Sequence, residues 1–172
     1  GPMLMLADVG PGMSVLESGV GSGAMSMALL RAGAHVTGYE LREDFANRAV
    51  TNVGRMLGDD ALGRYDVQLR DCYEGVDGTG FDRMILDLPE PWRVAGPAAT
   101  ALRPGGILVA YTPSILQVTR LRAALDDAGF AMAETLEVLN RTWHVEDPAV
   151  RPDHRMVAHT GFLTHARRLN RE

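Results

Sequence analysis

The stretch Glu17-Ser-Gly-Val-Gly-Ser-Gly23 follows the apolar residues 13–16, and Val36-Thr-Gly-Tyr-Glu40 comes shortly after it. A strand that ends in glycines and turns directly into a helix leaves free backbone N–H groups and lets a ligand approach the chain closely. An acidic residue at the end of the next strand, here Glu40, is placed to accept hydrogen bonds from a ribose. Together the two features predict a nucleotide-type site, whereas the glycines alone also fit an ordinary strand-to-helix turn.

Strand and helix patterns alternate along the chain, which favours a parallel sheet covered by helices on both faces. The predicted strands are residues 15–18, 35–40, 66–69, 81–86, 107–111, 131–139 and 156–163. The predicted helices are residues 24–32, 42–57, 97–102 and 114–128, and the polar, proline-bearing residues 146–155 separate the last two strands. This predicts an α/β fold of the class I S-adenosylmethionine (AdoMet)-dependent methyltransferase type, Rossmann-like, with a seven-stranded mostly parallel sheet and a C-terminal β-hairpin. A dinucleotide Rossmann domain has six strands and no such hairpin.

Length and composition predict a single compact domain over residues 1–172, and the glycine loop makes it the expected AdoMet-binding catalytic domain. The 46% apolar content is ample for a single core, and no run approaches the roughly 20 apolar residues that cross a bilayer, so no membrane partner is expected. The single cysteine, Cys72, excludes an internal disulfide and a cysteine-based zinc cluster and fits a cytoplasmic protein. Residues 1–2 resemble the remnant of a cleaved tag.

Charge is uneven along the chain. Residues 1–140 carry 11 Arg against 18 Asp and Glu, whereas residues 141–172, the basic tail, carry 6 Arg against 4 acidic residues and four of the five histidines. The net charge of -5 argues weakly against nucleic-acid binding by the chain as a whole. The tail is therefore either a phosphate-contacting segment or a solvated end.

The acidic residues around the glycine loop favour AdoMet over a dinucleotide. A negative Glu17 suits the sulfonium and ammonium groups of AdoMet, whereas it would repel a pyrophosphate. Asp71 follows the third predicted strand and is placed to accept a hydrogen bond from an adenine amino group. A solvated loop carboxylate is the alternative for Asp71.

Asp87-Leu-Pro-Glu-Pro-Trp92 follows a strongly apolar strand. Two prolines and a tryptophan predict a stiff aromatic lip that holds the carboxylate of Asp87 beside a planar base. The alternative is a surface turn with a packed tryptophan.

Motifs over nearly the whole chain resemble the tRNA (adenine-N1)-methyltransferases of the TrmI type. They are Val15-Leu-Glu-Ser-Gly-Val-Gly-Ser-Gly23, Tyr39-Glu-Leu-Arg-Glu-Asp-Phe-Ala46, Asp82-Arg-Met-Ile-Leu-Asp-Leu-Pro-Glu-Pro-Trp92, Leu102-Arg-Pro-Gly-Gly106, Tyr111-Thr-Pro-Ser114 with Gln117-Val118, and Arg151-Pro with His154, Met156 and His159-Thr-Gly-Phe-Leu163. The glycine loop is shared with many methyltransferases, whereas the Asp87 and His159 segments are specific to this family.

The resemblance implies transfer of a methyl group from AdoMet to N1 of the T-loop adenine (position 58) of tRNA by a homo-oligomer, a tetramer in the family. Asp87 would be the catalytic residue that meets the base. The implied cofactor residues are Glu17, Gly19, Val20, Gly21, Ser22, Gly23, Ala24, Met25, Glu40, Asp71, Cys72 and Asp87. The implied tRNA-contacting residues are Pro89, Trp92, Tyr111, Arg141, Arg151, His154, Arg155 and His159.

Two histidines, His154 and His159, also fit hairpin or core positions, and no metal is predicted because the histidines lack a ligand spacing. Family members carry an N-terminal β-rich domain that this sequence does not include, so we expect weak or absent turnover from these residues alone. The alternatives are methylation of another nucleoside or small molecule, a non-catalytic scaffold subunit, and a dehydrogenase, which Glu17 and the late hairpin disfavour.

Overall fold

The computed structural model describes residues 1–156 and 160–170. Within them the strands are β1 (Ser14–Ser18), β2 (His35–Glu40), β3 (Tyr65–Leu69), β4 (Phe81–Asp87), β5 (Leu102–Thr112), β6 (Phe130–Glu137), β7 (Trp143–Glu146), β8 (Ala149–Pro152) and β9 (Phe162–Arg168). The α-helices are α1 (Pro2–Ala7), α2 (Ala24–Arg31), α3 (Glu43–Leu57), α4 (Asp59–Leu62), α5 (Ala95–Ala101) and α6 (Ile115–Asp127). None of the helices in these ranges is long and apolar enough to span a membrane.

The main sheet has the order β3-β2-β1-β4-β5-β9-β6. Strands β1 to β5 are parallel, and β9 is antiparallel to both of its neighbours, β5 and β6. The predicted class I methyltransferase fold is confirmed. Because the connections from β1 to β2 and from β3 to β4 run in opposite directions across the sheet, a crevice opens at the carboxyl ends of β1 and β4.

The central strands are buried on both faces, as their continuous apolar runs predict. Leu16, Met84 and Leu108 point into one core cluster, and their neighbours Val15, Ile85 and Val109 point into the other. The two core clusters, one on each face of the sheet, therefore hold the position of the strands that end at the crevice. Cys72 lies in the first cluster, as a small buried residue.

Two sequence predictions were wrong. The strand predicted at residues 156–163 lies instead at Phe162–Arg168, where it pairs with β5 and β6, and residues 157–159 lie outside the described part of the chain. Residues 146–155, predicted to be a connecting segment, contain β8. The short helix α1 was not expected, because six mostly apolar residues carry no amphipathic pattern.

Strands β7 and β8 form a separate two-stranded hairpin, residues 143–152. Val145 pairs with Val150 and Trp143 with Pro152, so these side chains share one face. Trp143, Val145 and Val150 are 59%, 69% and 64% exposed. The hairpin therefore presents an apolar face to solvent.

Candidate active site

The glycine loop lies directly against the end of β4. Gly19, Gly21 and Gly23 have φ angles of 88°, 56° and 81°, in the region that glycine adopts at least cost. A Cβ atom on Gly19 would lie 2.2 Å from the backbone oxygen of Asp87. The first glycine is therefore required for the loop and the predicted catalytic strand end to meet.

A cavity of about 410 Å³, the loop cavity, opens beside this contact. It brings together most of the predicted cofactor residues, which come from the loop, the first turn of α2 and the end of β4. They are Glu17, Gly19, Val20, Gly21, Ser22, Ala24, Met25 and Asp87. Gly23 forms the turn just behind this wall, where a Cβ atom would lie 3.1 Å from Ala49.

Glu17 lies at the inner end of the loop cavity and is 2% exposed. Its Oε2 accepts a hydrogen bond of 2.6 Å from the Ser26 hydroxyl, and Tyr65 donates to Ser26 in turn, whereas Oε1 is buried with no hydrogen-bond partner. Burial raises the pKa of Glu17, the Ser26 hydrogen bonds oppose this effect, and the carboxylates of Asp87 and Glu40 add to it, so that the net pKa is about 8. The prediction of a negative Glu17 is therefore wrong for the protein alone at neutral pH.

Glu40 is held by two backbone amides. Its Oε2 accepts from the amide of Gly21 at 2.9 Å and its Oε1 from the amide of Arg42 at 3.0 Å. A carboxylate has about four acceptor sites, so two outward-facing sites remain for a pair of hydroxyl groups. The side chain is fixed in direction by the glycine loop itself.

A smaller cavity of about 150 Å³, the edge cavity, adjoins the loop cavity at Ser18 and Gly19. Besides Gly19, four predicted residues line it: Glu40, Asp71, Cys72 and Pro89. The Oδ1 of Asp71 accepts a 2.8 Å hydrogen bond from the Tyr73 amide, which caps the 3₁₀ turn Cys72–Glu74. The two cavities, together called the groove, thus share the wall at Ser18 and Gly19, with Glu17 in the loop cavity and Glu40 and Asp71 in the edge cavity.

Asp87 ends β4 and pairs with Tyr111 on β5. The carboxyl is exposed at the mouth of the loop cavity, yet the cavity walls desolvate it enough to raise its pKa above the ordinary value. Tyr111 donates to the carbonyl of Thr160 and lines a third cavity, of about 150 Å³, with Gly161 and Leu163. The two predicted residues are therefore neighbours across the strand ends.

The lip after β4 is fixed by polar contacts. The Nε2 of Gln117 donates to the Pro89 carbonyl at 2.9 Å, and the amide of Glu90 donates to the Tyr73 hydroxyl at 2.9 Å. Trp92 is half-buried, with the Arg120 guanidinium 5.3 Å from its ring centre, and lines neither the loop nor the edge cavity. Its position matches the surface turn with a packed tryptophan.

The predicted tail residues lie apart from this groove. Arg141, Arg151, His154 and Arg155 are exposed and line none of the three cavities, and His159 lies outside the described residues. Arg167 and Arg168 donate to the carbonyls of Gly105 and Leu102, at the amino-terminal end of β5 and so away from the crevice at the carboxyl ends. Histidine, cysteine and acidic residues form no metal-binding group within residues 1–156 and 160–170.

Several lining residues were not predicted. In the loop cavity they include Met3 and Leu4 of α1, Ala28 and Ile85. In the edge cavity they include Tyr39, Arg70, Tyr73 and Leu88. The apolar members carry no chemical signature in the sequence, and only their distance from the strand ends, once the topology is known, identifies them.

Comparison with known proteins identifies relatives whose descriptions agree with one another. The chain is 37% identical over 169 residues to the tRNA (adenine(58)-N(1))-methyltransferase TrmI of Thermus thermophilus, covering 96% of this chain and 66% of that protein. It is 32% identical to the tRNA (adenine(57)-N(1)/adenine(58)-N(1))-methyltransferase TrmI of Methanocaldococcus jannaschii, over 97% of this chain and 68% of that protein. The chain thus spans slightly less than two thirds of the Thermus relative.

Solved structures agree with this. A SAM-dependent O-methyltransferase from Thermotoga maritima superposes with a TM-score of 0.91 at 34% identity, covering 99% of this chain and 64% of that one. The tRNA (m1A58) methyltransferase TrmI from Aquifex aeolicus superposes with a TM-score of 0.84 at 26% identity, covering 98% of this chain and 67% of that one. The family model described as "tRNA methyltransferase complex GCD14 subunit" matches residues 3–150. The chain therefore belongs to this family of tRNA methyltransferases.

Proposed function

We propose that the chain is an AdoMet-dependent methyltransferase domain that methylates N1 of adenine 58 in the T loop of tRNA. Family membership and the TrmI relatives support the reaction class. The single observation that carries the proposal is the contact between Gly19 and Asp87, because it puts an acidic strand end beside a glycine loop in one cavity.

The residues of the groove fit AdoMet. An ammonium group beside the unpartnered Oε1 of Glu17 would favour loss of the Glu17 proton, and the ionised carboxylate would then accept a hydrogen bond from it. The two free acceptor sites of Glu40 suit the ribose hydroxyls. Asp71 and the apolar wall of the edge cavity suit the adenine ring. AdoMet would supply, when bound, a methyl group activated by its sulfonium.

Asp87 would orient the target base and stabilise its charge. Its carboxylate would accept a hydrogen bond from the exocyclic N6 amino group, which turns N1 toward the loop cavity. Methylation at N1 places a positive charge on the ring, and a carboxylate at this position lowers the energy of that charge. Because N1 lies on the pairing edge, the base must leave its pairing in tRNA, and the Tyr111 cavity is next to Asp87 to receive it.

Two substitutions separate binding from transfer. Glu40→Ala is expected to weaken AdoMet binding about 10- to 100-fold, because charge-assisted hydrogen bonds to the ribose are lost. Asp87→Ala is expected to lower methyl transfer at least about 100-fold and to change donor affinity little. Calorimetry with AdoMet and single-turnover methylation of an unmodified tRNA transcript measure the two effects.

Asp87→Asn is the matched control, because it keeps an acceptor oxygen and removes the charge. An intermediate rate is expected. Mass spectrometry should locate the methyl group at N1 of adenine 58, and a transcript with guanosine at position 58 should stay unmethylated. A wild-type rate for Asp87→Ala would contradict the assigned role.

The second candidate is methylation of a small hydroxyl-bearing molecule, because the Thermotoga relative with the TM-score of 0.91 is described as an O-methyltransferase. The same assay decides between the two candidates. Donor turnover with small hydroxyl compounds and none with folded tRNA would favour the second one.

We further propose that the protein is cytoplasmic and assembles with copies of itself. The single cysteine fits a reducing compartment. The exposed apolar face of the hairpin supports self-association, since apolar patches of this kind mark interfaces. Sedimentation velocity of the chain, with Trp143→Ser as the comparison, tests assembly.

A further inference from the structure

The helix α1 forms one wall of the loop cavity. Met3 and Leu4 line this cavity, whereas the edge cavity has no lining residue from α1. A helix of six residues is not stable by itself in water, so its position depends on the contacts that hold it. Ala7 at its C-terminal end is completely buried.

Arg83 on β4 holds that end of the helix. Its side chain is 4% exposed and its guanidinium donates to the carbonyls of Ala7 and Asp8, the latter at 2.9 Å from Nη2. Nη2 also lies 3.2 Å from Oδ2 of Asp8, and Nη1 donates to the carbonyl of Asp82 at 2.9 Å. A cation at the C-terminal carbonyls of a helix matches the helix dipole.

The position of Arg83 along β4 connects this contact to the active site. Side chains two residues apart lie on the same face of a strand, so Arg83, Ile85 and Asp87 share one face. Ile85 and Asp87 line the loop cavity. One strand face thus carries the anchor of α1, part of the cavity wall and the predicted catalytic carboxylate.

We propose that Arg83 is a positioning residue for the donor: by fixing the C-terminal end of α1, it holds Met3 and Leu4 against the methionine part of the bound cofactor. The proposal rests on the proposed function, because it assumes that the methionine part fills the loop cavity and the adenosine part the edge cavity. Replacing Arg83 should therefore change the affinity only of ligands that contact the cavity wall formed by α1.

Two ligands test this confinement. S-adenosylhomocysteine has the adenosine and the amino-acid part, whereas 5′-methylthioadenosine has the adenosine without the amino-acid part. Arg83→Met is expected to weaken S-adenosylhomocysteine about tenfold in calorimetry and to change 5′-methylthioadenosine less than about twofold. Arg83→Lys, which keeps one charged donor but not the planar fork, is expected to fall between wild type and Arg83→Met.

Arg103→Met is the matched control. Arg103 forms an ion pair with Asp82, the residue that precedes Arg83 on β4. Arg103 itself lines neither the loop nor the edge cavity. We expect both ligands to bind Arg103→Met as they bind the wild type. Titrations are made below the unfolding temperature of each variant, so that a general loss of stability is measured separately.

The double variant Met3→Ala/Leu4→Ala removes the side chains of the cavity wall and keeps the contact of Arg83 with α1. It replaces Arg83→Met in the test if Arg83→Met does not fold. It is expected to show the same selective loss of S-adenosylhomocysteine. Equal weakening of both ligands, or unchanged binding of S-adenosylhomocysteine, in the variants would overturn the role of Arg83. Failure of the wild type to bind either ligand would instead count against the proposed function.

Discussion

The glycine loop and the β7–β8 hairpin differ in almost every physical respect. In the loop, Glu17 is buried and Gly19 has no room for a Cβ atom. In the hairpin, Trp143 and Val145 are mainly exposed, and the strands pair only with each other. The conformation of the loop therefore depends on the residues packed against it, whereas the conformation of the hairpin depends on the pairing of its own two strands.

This difference decides how a substitution acts. A side chain added at Gly19 meets backbone atoms that cannot move without displacing the sheet. A change in the hairpin meets solvent. Substitutions in the two regions should therefore differ first in the free energy of unfolding and then in binding and assembly.

Gly19→Ala is expected to have the largest effect. The new Cβ would overlap the Asp87 carbonyl, at 2.2 Å, and the residue has a φ of 88°, so we expect a loss of more than about 3 kcal/mol or failure to fold. Urea unfolding measures it. Gly21→Ala is the control, since its Cβ meets open space at a φ of 56°, and a loss of about 1 kcal/mol is expected. Equal losses would show that crowding at Gly19 is unimportant.

Glu17→Gln is expected to change how stability depends on pH. The folded protein holds the Glu17 proton up to about pH 8, whereas the unfolded chain loses it near 4.5. The folded state therefore binds more protons between these values, and wild-type stability falls as pH rises through this window. The variant lacks that fall, so it should gain up to a few kcal/mol over wild type by pH 8.

Asp82→Asn is a control of opposite sign. Burial raises the pKa of Asp82, but hydrogen bonds from the Ser14 amide and Arg103 outweigh burial and hold it below the ordinary value of 3.8. Its stabilising contribution is present above that value and is lost as pH falls. Chemical unfolding from about pH 2 to pH 8 compares both variants, because the Asp82 contribution is lost below pH 3.8 and the Glu17 contribution between 4.5 and about 8. The same slope for wild type and Glu17→Gln would contradict the raised pKa.

Trp143→Ser is expected to change the free energy of unfolding by less than about 0.5 kcal/mol, because the indole is 59% exposed. Its effect should appear in assembly, as a shift toward smaller species in sedimentation velocity. Ile115→Ser, at another exposed apolar side chain, is the control and should leave the distribution unchanged. A large loss of stability from Trp143→Ser would show that the hairpin is not independent of the core.

Replacing Arg141, Arg151 and Arg155 by Gln is expected to have the smallest effect on stability, since all three are exposed. If the tail contacts phosphates, tRNA affinity should fall and its salt dependence should weaken by up to about 0.9 in the log–log slope for each lost contact. Filter binding at several salt concentrations measures this. Unchanged affinity and slope would identify the segment as a solvated end.

The sequence was most informative where a local backbone requirement leaves a residue signature. The glycines at 19, 21 and 23 predicted the turn, and the strand patterns on either side of it placed β1, β2 and β4 to within a residue of their observed bounds. Glu40 was placed correctly at the end of β2, because strand alternation and length fix that position.

Predictions failed where distant parts of the chain decide. Strand β9 reads Phe-Leu-Thr-His-Ala-Arg-Arg, whose polar residues hide the fact that it is held between β5 and β6. The charge of Glu17 depends on burial by elements that the sequence does not show to be adjacent. Helix α1 lines the site because it packs on distant parts of the chain, among them Arg83 on β4. In each case the deciding interaction links residues far apart in sequence.

The insertion of β9 between β5 and β6 has a consequence for biosynthesis. Strand β6 is at the edge of the main sheet and has β9 as its sheet neighbour, so β6 emerges from the ribosome before its partner has been translated. During that interval strands β1 to β5 can already pair with one another, while residues 130–137 have no neighbouring strand. A released chain that ends just before residue 162 should therefore expose unpaired strand edges and aggregate more readily than the whole chain.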